Sequence, residues 1–398
     1  MKVTWVNPCF LDYRVPVYAA LDRLLDGGLS VVFSATRVRE GVRRKIGSAI
    51  GERALALEGE KRVGIGISEE TFANQGISIP YQPGLVRSII ETDPDVIISE
   101  GFFQWTPAAL WAKRKIRVPL VIAYEKTPHT ERNAPRLRTL YRRWVASETD
   151  AICCNGKLSK QYCTSVLRFD ADRIITGAMA ADTESLAAKC AALPPEEIAA
   201  SRLRLRATSG PLFLYVGRLI PLKGLRELLA GWELFTRTNT AGTLVLVGDG
   251  PEREPLESII REKRIPRVIF AGRAEYEQIA AYYAAADCLV MPTLEDNWSL
   301  VVPEAMACGK PILCSKFNGC WPELVHPGVN GWVFDPHNAN EIAELLNKCA
   351  AELSRLNAMG RESSRIVEDY SPQHAAEAVL RAVELAADRT LVMNGRGI

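Results

Sequence analysis

Three acidic side chains stand close together in the stretch PTLEDNWSLVVPEAMACG, which covers residues 292–309. Glu295 and Asp296 are adjacent, and Glu304 follows Asp296 by eight residues. The stretch leaves a short apolar segment and continues as a predicted helix, so backbone N–H groups at its start can hold an anion. Because adjacent side chains do not share a face, only one of Glu295 and Asp296 can meet the same ligand as Glu304.

Three further loops that follow apolar segments carry glycines and cations. In LYVGRLIPLKG, Gly217 lets a ligand come close to the backbone, and Arg218 and Lys223 suit a diphosphate. VLVGDGPERE turns at Gly248, and FAGRAEYEQI turns at Gly272. Each signal is weak alone, since VGDGPER lacks the third glycine of G-x-G-x-x-G. Together the four loops predict a phosphate-binding site in the second half of the chain.

Apolar segments alternate with helical patterns along the whole chain. The predicted strands are residues 2–7, 29–35, 95–99, 119–125, 150–155, 212–217, 243–248, 268–272, 288–293, 311–315 and 332–335. Short strands separated by helices are typical of parallel sheets that are covered on both faces. The predicted fold class is therefore α/β with two Rossmann-like, doubly wound domains. One (β/α)₈ barrel would leave too much of the 398-residue chain unexplained.

A boundary between the two domains is predicted in the Ala-rich stretch 177–210, which contains two adjacent prolines and no strand pattern. This stretch suits a linker and a leading helix. The predicted domains are residues 1–180 and 181–371, and the stretch 370–389 has the pattern of an amphipathic helix. In open α/β sheets ligands bind beyond the carboxyl ends of the strands, so two facing domains would enclose a cleft.

Five stretches of the second half together resemble the family 4 glycosyltransferases (glycosyl transferases group 1), the retaining enzymes of the GT-B fold. They are YVGRLIPLKGLRELLAGWELF, LVLVGDGPERE, VIFAGR, AYYAAADCLVMPTLEDNWSLVVPEAMACGKPIL and NGWVFDPHNANEIAELL. The resemblance implies a nucleotide-sugar donor in the second domain and a final helix (372–398) that crosses back to the first. It implies that Arg218 and Lys223 hold the donor diphosphate and that Glu304 binds the ribose hydroxyls. The backbone near Arg273 would meet the base, and the turns of the same site are Gly217, Gly248 and Gly272.

The family pattern has two Glu residues eight positions apart, and counting back from Glu304 reaches Asp296. The resemblance therefore implies that Asp296 binds hydroxyls of the transferred sugar, with Glu295 as the alternative in a shifted register. Asp is one methylene shorter than Glu, and Ser299 stands where the family commonly has Gly. Eight residues lead from loop to helix, and about two helical turns span ~11 Å, which suits a sugar, a pyrophosphate and a ribose in sequence. The other donor-binding residues predicted in this loop are Glu295, Asn297, Trp298, Ser299 and Leu300.

The resemblance is looser in the first half, where the family often has a Gly-Gly loop and this chain has NPCFLDYRVPVYAALDRL. That loop is predicted to shape the acceptor site, with Tyr13 and Arg14 as candidates. His129 follows the fourth predicted strand, where the family commonly places a His near the reacting sugar. Glu100 and Glu125 also follow strands and are acceptor-side candidates. The alternative for each is a loop residue without a role.

Two Asp-x-Asp patterns, at 93–95 and 170–172, resemble the metal sites of some glycosyltransferases. Both stand just before a predicted strand, away from the carboxyl ends, where ordinary turns explain them better. We expect no metal ion and no other cofactor. The resemblance implies that Arg218, Lys223 and the helix start meet the diphosphate charge of a UDP- or GDP-sugar.

The predicted reaction moves a sugar from a nucleotide-diphosphate sugar to an acceptor hydroxyl with retention at the anomeric carbon. It would serve polysaccharide, glycolipid or other glycoconjugate synthesis, with a carbohydrate or lipid-linked acceptor. The predicted catalytic set is Arg218, Lys223, Asp296, Glu304 and His129. A nucleotide-sugar 2-epimerase of the GT-B fold remains an alternative, although it needs a set of carboxylates for acid–base chemistry. A non-catalytic nucleotide-sugar-binding module is the other alternative.

Basic residues are concentrated in the first half, where residues 1–185 hold 26 Lys and Arg against 21 Asp and Glu. In RNAPRLRTLYRRWVAS (132–147), Arg residues alternate with Leu137, Leu140, Tyr141 and Trp144 at helical spacing. Such a surface can rest on an anionic membrane, or it is simply a solvated basic face. No apolar run reaches the ~18 residues of a spanning helix, and the N-terminus lacks a signal-peptide pattern. We expect a cytoplasmic protein, peripheral at the inner face of the membrane under the first interpretation, and no nucleic-acid partner.

Overall fold

The structure is a computed structural model that describes residues 1–65, 77–207 and 210–393 of the chain. It divides into two compact units. Unit 1 contains Met1–Ala180 and Pro372–Ile398, and unit 2 contains Ala181–Ser371. Each unit is built on a parallel sheet with helices on both faces, so the predicted α/β doubly wound class is confirmed.

Unit 1 contains a seven-stranded sheet and a separate antiparallel hairpin. Its strands are β1 (Val3–Val6), β2 (Leu29–Ser34), β3 (Ala54–Leu57), β4 (Lys61–Ile65), β5 (Ile77–Tyr81), β6 (Val96–Glu100), β7 (Leu120–Tyr124), β8 (Ala151–Cys154) and β9 (Ile174–Thr176). The sheet order is β3-β2-β1-β6-β7-β8-β9, and β4 pairs with β5. Val3 of β1 pairs in parallel register with Leu29 on one side and Val96 on the other. The strand order therefore reverses between β1 and β6, where ligands bind in open α/β sheets.

The helices of unit 1 cover both faces of this sheet. Those in the first 180 residues are α1 (Arg14–Leu24), α2 (Glu40–Ile50), α3 (Leu85–Glu91), α4 (Thr106–Ile116), α5 (Arg136–Ser147) and α6 (Lys157–Ser165). Successive strand residues enter different cores, because Val96 and Ile98 pack on one face and Ile97 packs on the other. Burial on both faces explains why these strands read as continuous apolar segments.

Unit 2 contains a six-stranded parallel sheet in the order β12-β11-β10-β13-β14-β15. Its strands are β10 (Leu212–Val216), β11 (Thr243–Val247), β12 (Val268–Gly272), β13 (Cys288–Met291), β14 (Ile312–Ser315) and β15 (Gly331–Phe334). Its helices are α7 (Thr183–Ala191), α8 (Pro195–Arg204), α9 (Leu225–Thr238), α10 (Arg253–Lys263), α11 (Tyr276–Ala285), α12 (Val301–Ala307), α13 (Trp321–Leu324), α14 (Ala339–Ala351) and α15 (Leu353–Val367). The last helix, α16 (Pro372–Met393), packs against α1 and β8 and so belongs to unit 1.

All eleven predicted strands are present, with ends within two residues of the predicted ones. Three kinds of strand were missed. β3 is a half-exposed edge strand of Ala and Leu, residue types that favour helices, and β9 has only three residues. The hairpin strands β4 and β5 contain Gly and Pro, which are rare in strands. The stretch 177–210 holds two helices rather than one, since Asp182 caps α7 and Pro195 starts α8.

Candidate functional site

The predicted donor-site residues follow four neighbouring strands of unit 2. Arg218 follows β10, Gly248 follows β11, Arg273 follows β12, and the loop 292–300 follows β13. These strands are adjacent in the order β12-β11-β10-β13, and each neighbouring pair is parallel. Parallel strands end at a common edge. The structure therefore brings the four predicted loops together at the carboxyl edge of one sheet.

Gly248 lets two of these loops pack backbone against backbone. Its φ is +137°, a region that L side chains rarely adopt, and an added Cβ would lie 1.8 Å from the Gly217 carbonyl oxygen. The Gly217 N–H donates to the Val247 carbonyl at 3.0 Å, and the Gly248 N–H donates to the Gly272 carbonyl at 2.8 Å. Glycine at 248 is thus required by the contact between loops, before any ligand is considered.

The loop that carries Lys223 is locked to the loop that carries the acids. The Leu222 carbonyl accepts the N–H groups of Leu294 at 2.8 Å and Glu295 at 3.3 Å. Gly224 has a φ of +67°, and an added Cβ there would lie 2.1 Å from the Pro292 carbonyl oxygen. Backbone contacts therefore fix the distance between the two loops.

This lock places the Lys223 ammonium against the Asp296 carboxylate, where the two form an ion pair with little exposure. The Ser299 hydroxyl also donates to Asp296 Oδ2, at 2.6 Å. The Trp298 backbone N–H donates to Asp296 Oδ1 at 3.1 Å. Asp296 is therefore held by a cation that the sequence assigns to the diphosphate, while Glu295 is half-buried beside it.

Glu304 lies on α12 and meets α11. The Tyr283 hydroxyl donates to Glu304 Oε2 at 2.8 Å. Glu304 is half-buried, and burial raises the pKa of its carboxyl to about 7. Burial likewise raises the pKa of Tyr283, so its hydroxyl stays a donor. Glu304 can therefore change protonation near neutral pH, and a ligand hydroxyl that donates to it would favour the ionised form.

The remaining predicted donor-site residues differ in exposure. Arg218 and Arg273 are exposed, and the Arg273 guanidinium lies 3.5 Å from the Glu275 carboxylate. Asn297 and Leu300 are half-buried. Trp298 is buried, with its ring 6.4 Å from that of Tyr370, so its side chain packs inside unit 2.

The acceptor-side candidates of unit 1 form one cluster at the end of β6. Arg14 is buried, and its guanidinium donates to Glu100 Oε1 at 2.9 Å and to the Ala178 carbonyl at 2.7 Å. Burial raises the pKa of Tyr13, and the nearby carboxylates Glu125 and Glu100 raise it further. Burial also raises the pKa of Glu100, although Arg14 opposes the change. Arg14 is thus committed to orienting Glu100, while Glu125 is about half exposed.

His129 lies in a turn that follows β7. Its backbone carbonyl accepts the Arg132 N–H at 3.3 Å and the Arg132 guanidinium at 2.6 Å. The side chain is half-buried. Unit 1 thus holds His129 and the acceptor-side cluster, and unit 2 holds the predicted donor site.

Asp side chains of both Asp-x-Asp patterns bond to protein groups. Asp93 pairs with Lys2 at 2.9 Å, and Asp95 accepts the Lys2 N–H at 2.7 Å. Asp170 accepts the Asp172 N–H at 3.1 Å. Within the described ranges, no group of three or more His, Cys, Asp or Glu could hold a metal ion. In the same part of the chain, no helix is long and apolar enough to span a membrane.

Sequence reasoning missed two residues that support the site. Tyr283 lies in the repeated aromatic pair of AYYAAAD, which gives no sign of which ring is the buried one. Asn318 follows β14, outside the four predicted loops. Its Oδ1 accepts the Ser299 N–H at 3.3 Å, and its backbone bridges to Asp296. Asn318 could have been found as a polar residue that follows β14, the strand next to β13 in the sheet.

Comparisons with known proteins agree with this architecture. The family model described as Glycosyl transferases group 1 matches residues 201–365, and the model described as Glycosyltransferase Family 4 matches residues 40–184. The D-inositol 3-phosphate glycosyltransferase of Mycolicibacterium smegmatis is 28% identical over 346 residues, which are 76% of this chain and 75% of that protein. The Rhodococcus opacus protein of that name is 28% identical over 63% of this chain, and the match spans only 57% of its length.

Solved structures share the fold at low sequence identity. Anabaena Alr3699/HepE, crystallised with UDP, has a TM-score of 0.74 at 18% identity, covering 96% of this chain and 100% of its own. The sucrose-phosphate synthase of Thermosynechococcus elongatus has a TM-score of 0.65 at 19% identity, covering 99% of this chain and 100% of its own. These likenesses establish the GT-B fold. With one family model on each half, the chain belongs to the family 4 glycosyltransferases.

Proposed function

We propose that this chain moves a sugar from a nucleotide-diphosphate sugar to an acceptor hydroxyl, with retention at the anomeric carbon and without a metal ion. The supporting observation is the Lys223–Asp296 ion pair, held by locked loops at the same sheet edge from which α12 carries Glu304. A carboxylate for the sugar, a cation for the diphosphate and a carboxylate for the ribose are the groups that a nucleotide sugar needs.

In the proposed reaction the bond from the anomeric carbon to the diphosphate oxygen breaks. The bond to the acceptor oxygen forms on the same face of the sugar, and the leaving phosphate oxygen takes the acceptor proton. Arg218 and Lys223 stabilise the negative charge that grows on the diphosphate. Asp296 and Glu304 orient the donor. The protein thus contributes positioning and charge stabilisation rather than a nucleophile.

Donor binding is tested first with a thermal-shift panel of UDP-glucose, GDP-mannose and ADP-glucose. A ligand that binds only the folded state at 100 times its Kd adds about 2.7 kcal/mol of stability, which raises the melting temperature. We expect UDP-glucose or GDP-mannose to raise it, with and without EDTA. The configuration of a transferred sugar is then read by NMR from a product made with added acceptors. A panel without any shift contradicts the proposal.

Two other activities make different products from the same donor. A 2-epimerase would convert the nucleotide sugar to a second nucleotide sugar without any acceptor. A binding module would leave it unchanged, whereas a transferase is expected to release nucleoside diphosphate slowly to water. Incubation of the tightest-binding donor alone, followed by chromatography, separates the three.

The acceptor is proposed to be a carbohydrate or a lipid-linked molecule in glycoconjugate synthesis, with contact between unit 1 and an anionic membrane. Four large apolar side chains are exposed on α4 and α5. The exposed fractions are 68% for Trp111, 80% for Leu137, 56% for Leu140 and 46% for Trp144. The Arg114 guanidinium lies 5.9 Å from the centre of the Trp144 ring, which ties the two helices. The same two helices and the loop after α4 also expose the cations Lys115, Arg117 and Arg136.

Apolar side chains next to cations suit a surface that offers both acyl chains and anionic headgroups. The double variant Leu140→Gln/Trp144→Gln is expected to lose co-sedimentation with phosphatidylglycerol vesicles, while phosphatidylcholine vesicles bind neither protein. Leu203→Gln, a change at an equally exposed apolar residue of unit 2, is the matched control and should bind normally. Equal binding by the double variant contradicts the membrane proposal.

A further inference from the structure

Ser299 lies between the Asp296 carboxylate of the donor site and the buried side-chain amide of Asn318. Its hydroxyl donates to Asp296 Oδ2 at 2.6 Å, and its backbone N–H donates to Asn318 Oδ1 at 3.3 Å. The side chain is buried, with 5% of its surface exposed. Ser299 therefore connects the carboxylate that pairs with Lys223 to the loop that follows β14.

Asn318 is fixed on the far side of this connection. Its Oδ1 also accepts the Cys320 N–H at 3.4 Å and the Cys320 thiol at 3.1 Å, so the orientation of the amide is determined. Its backbone bridges to Asp296, because the Asp296 N–H donates to the Phe317 carbonyl at 3.4 Å. The Asn318 amide thus holds the Ser299 backbone beside Asp296.

The hydrogen bonds to Asp296 leave little freedom for its carboxylate. A carboxylate has about four acceptor positions. Three of them are used, by the Lys223 ammonium, the Ser299 hydroxyl and the Trp298 backbone N–H. One position remains for a ligand hydroxyl. A glycine at 299 would remove one of these donors and let the short Asp side chain rotate.

We propose that Ser299 is a positioning residue of the donor site, which holds the Asp296 carboxylate so that one hydroxyl of the transferred sugar can donate to it. The inference rests on the proposed function, because it assigns the sugar to Asp296. It goes further by explaining why an Asp can serve where the family has the longer Glu. The hydroxyl of Ser299 fixes the direction in which the shorter Asp296 side chain presents its carboxylate.

The test compares a nucleotide sugar with its nucleoside diphosphate by isothermal titration calorimetry. The probes are the tightest binder among UDP-glucose, GDP-mannose and ADP-glucose, and the matching UDP, GDP or ADP. Ser299→Ala should weaken nucleotide-sugar binding by about tenfold, which is about 1.4 kcal/mol, as expected for a hydrogen bond to a charged group. Binding of the diphosphate should change by less than about threefold, since it has no sugar. Ser363→Ala removes a buried hydroxyl of unit 2 that bonds to Asn330 and is the matched control.

A double-mutant cycle separates positioning from a general structural effect. In an Asp296→Ala background, Ser299→Ala should cause no further loss of nucleotide-sugar affinity, because its partner is absent. Equal losses in both backgrounds, or equal losses for the sugar nucleotide and the diphosphate, overturn the inference. Ser299→Gly removes the same hydroxyl without bulk and decides the outcome should the Ala variant not fold. If the unmodified protein binds none of the three nucleotide sugars, the proposed function and the inference fail together.

Discussion

The protonation of Glu304 should make donor affinity depend on pH near neutrality. Burial raises the pKa of this carboxyl from 4.5 to about 7. Ribose hydroxyls donate hydrogen bonds, so the ionised form is the one expected to bind. With a pKa of 7, about one tenth of the free protein is ionised at pH 6 and about nine tenths at pH 8. We therefore expect the donor to bind about tenfold more tightly at pH 8 than at pH 6.

Calorimetry with an intact nucleotide sugar measures this change cleanly, because its diphosphate diester does not titrate in that range. Glu304→Gln should bind more weakly at pH 8 and show little dependence on pH. Tyr283→Phe removes the hydroxyl that lowers the pKa of Glu304, so the midpoint should move upward. Tyr282→Phe, on the same helix, is the control. An unchanged pH dependence in Glu304→Gln would refute the assignment of the titration to this carboxyl.

The raised pKa of Glu304 affects folding stability in the opposite direction to donor affinity, because stability falls as the pH rises. The folded-state pKa is above the unfolded one, so the folded protein holds an extra proton between these two values. The stabilisation is complete below about pH 4.5 and is lost as the pH rises through about 7. Without donor, Glu304→Gln should therefore gain melting temperature relative to the unmodified protein above pH 7, measured by thermal denaturation at pH 6 and pH 8.

Three other changes test the site and the fold. Lys223→Ala should lower turnover by about 100-fold or more, by analogy with loss of an oxyanion donor; unchanged turnover in a transfer assay contradicts its role at the diphosphate. Gly248→Ala should lower the free energy of unfolding in urea by about 2–4 kcal/mol through backbone strain and overpacking, whereas Gly47→Ala, with open space inside α2, should raise it by about 0.5–1 kcal/mol. Glu131→Gln should lower it by about 3–5 kcal/mol, because Arg142, now paired at 2.6 and 2.9 Å, would remain buried without its partner; a loss below 1 kcal/mol would contradict this.

The central strands could be predicted from the sequence because burial on both faces makes each a continuous apolar segment. The edge strands β3 and β9 of unit 1 lack this signal. The half-exposed β3 is composed of Ala and Leu, and its identity depends on pairing with Val31 to Ser34 of β2. Strand pairing between residues far apart in the chain leaves no pattern in a short stretch of sequence.

The site was predictable as far as its residues follow strands. Arg218, Lys223 and the acids each stand after an apolar segment, so their common edge follows from a parallel sheet. The Lys223–Asp296 ion pair depends on the close backbone contact at Gly224, which requires tertiary geometry. The link from Ser299 to Asn318 joins residues 19 apart in sequence across two strands and had no motif to mark it.

The membership of α16 in unit 1 has a consequence for synthesis on the ribosome. Ala375, Val379 and Val383 of this helix are buried in the same core as Val17 and Leu21 of α1. These residues are synthesised only after all of unit 2. Unit 1 therefore waits with an open apolar face while unit 2, a continuous segment, can fold at once. Synthesis of unit 1 starts before that of unit 2 and is completed after it.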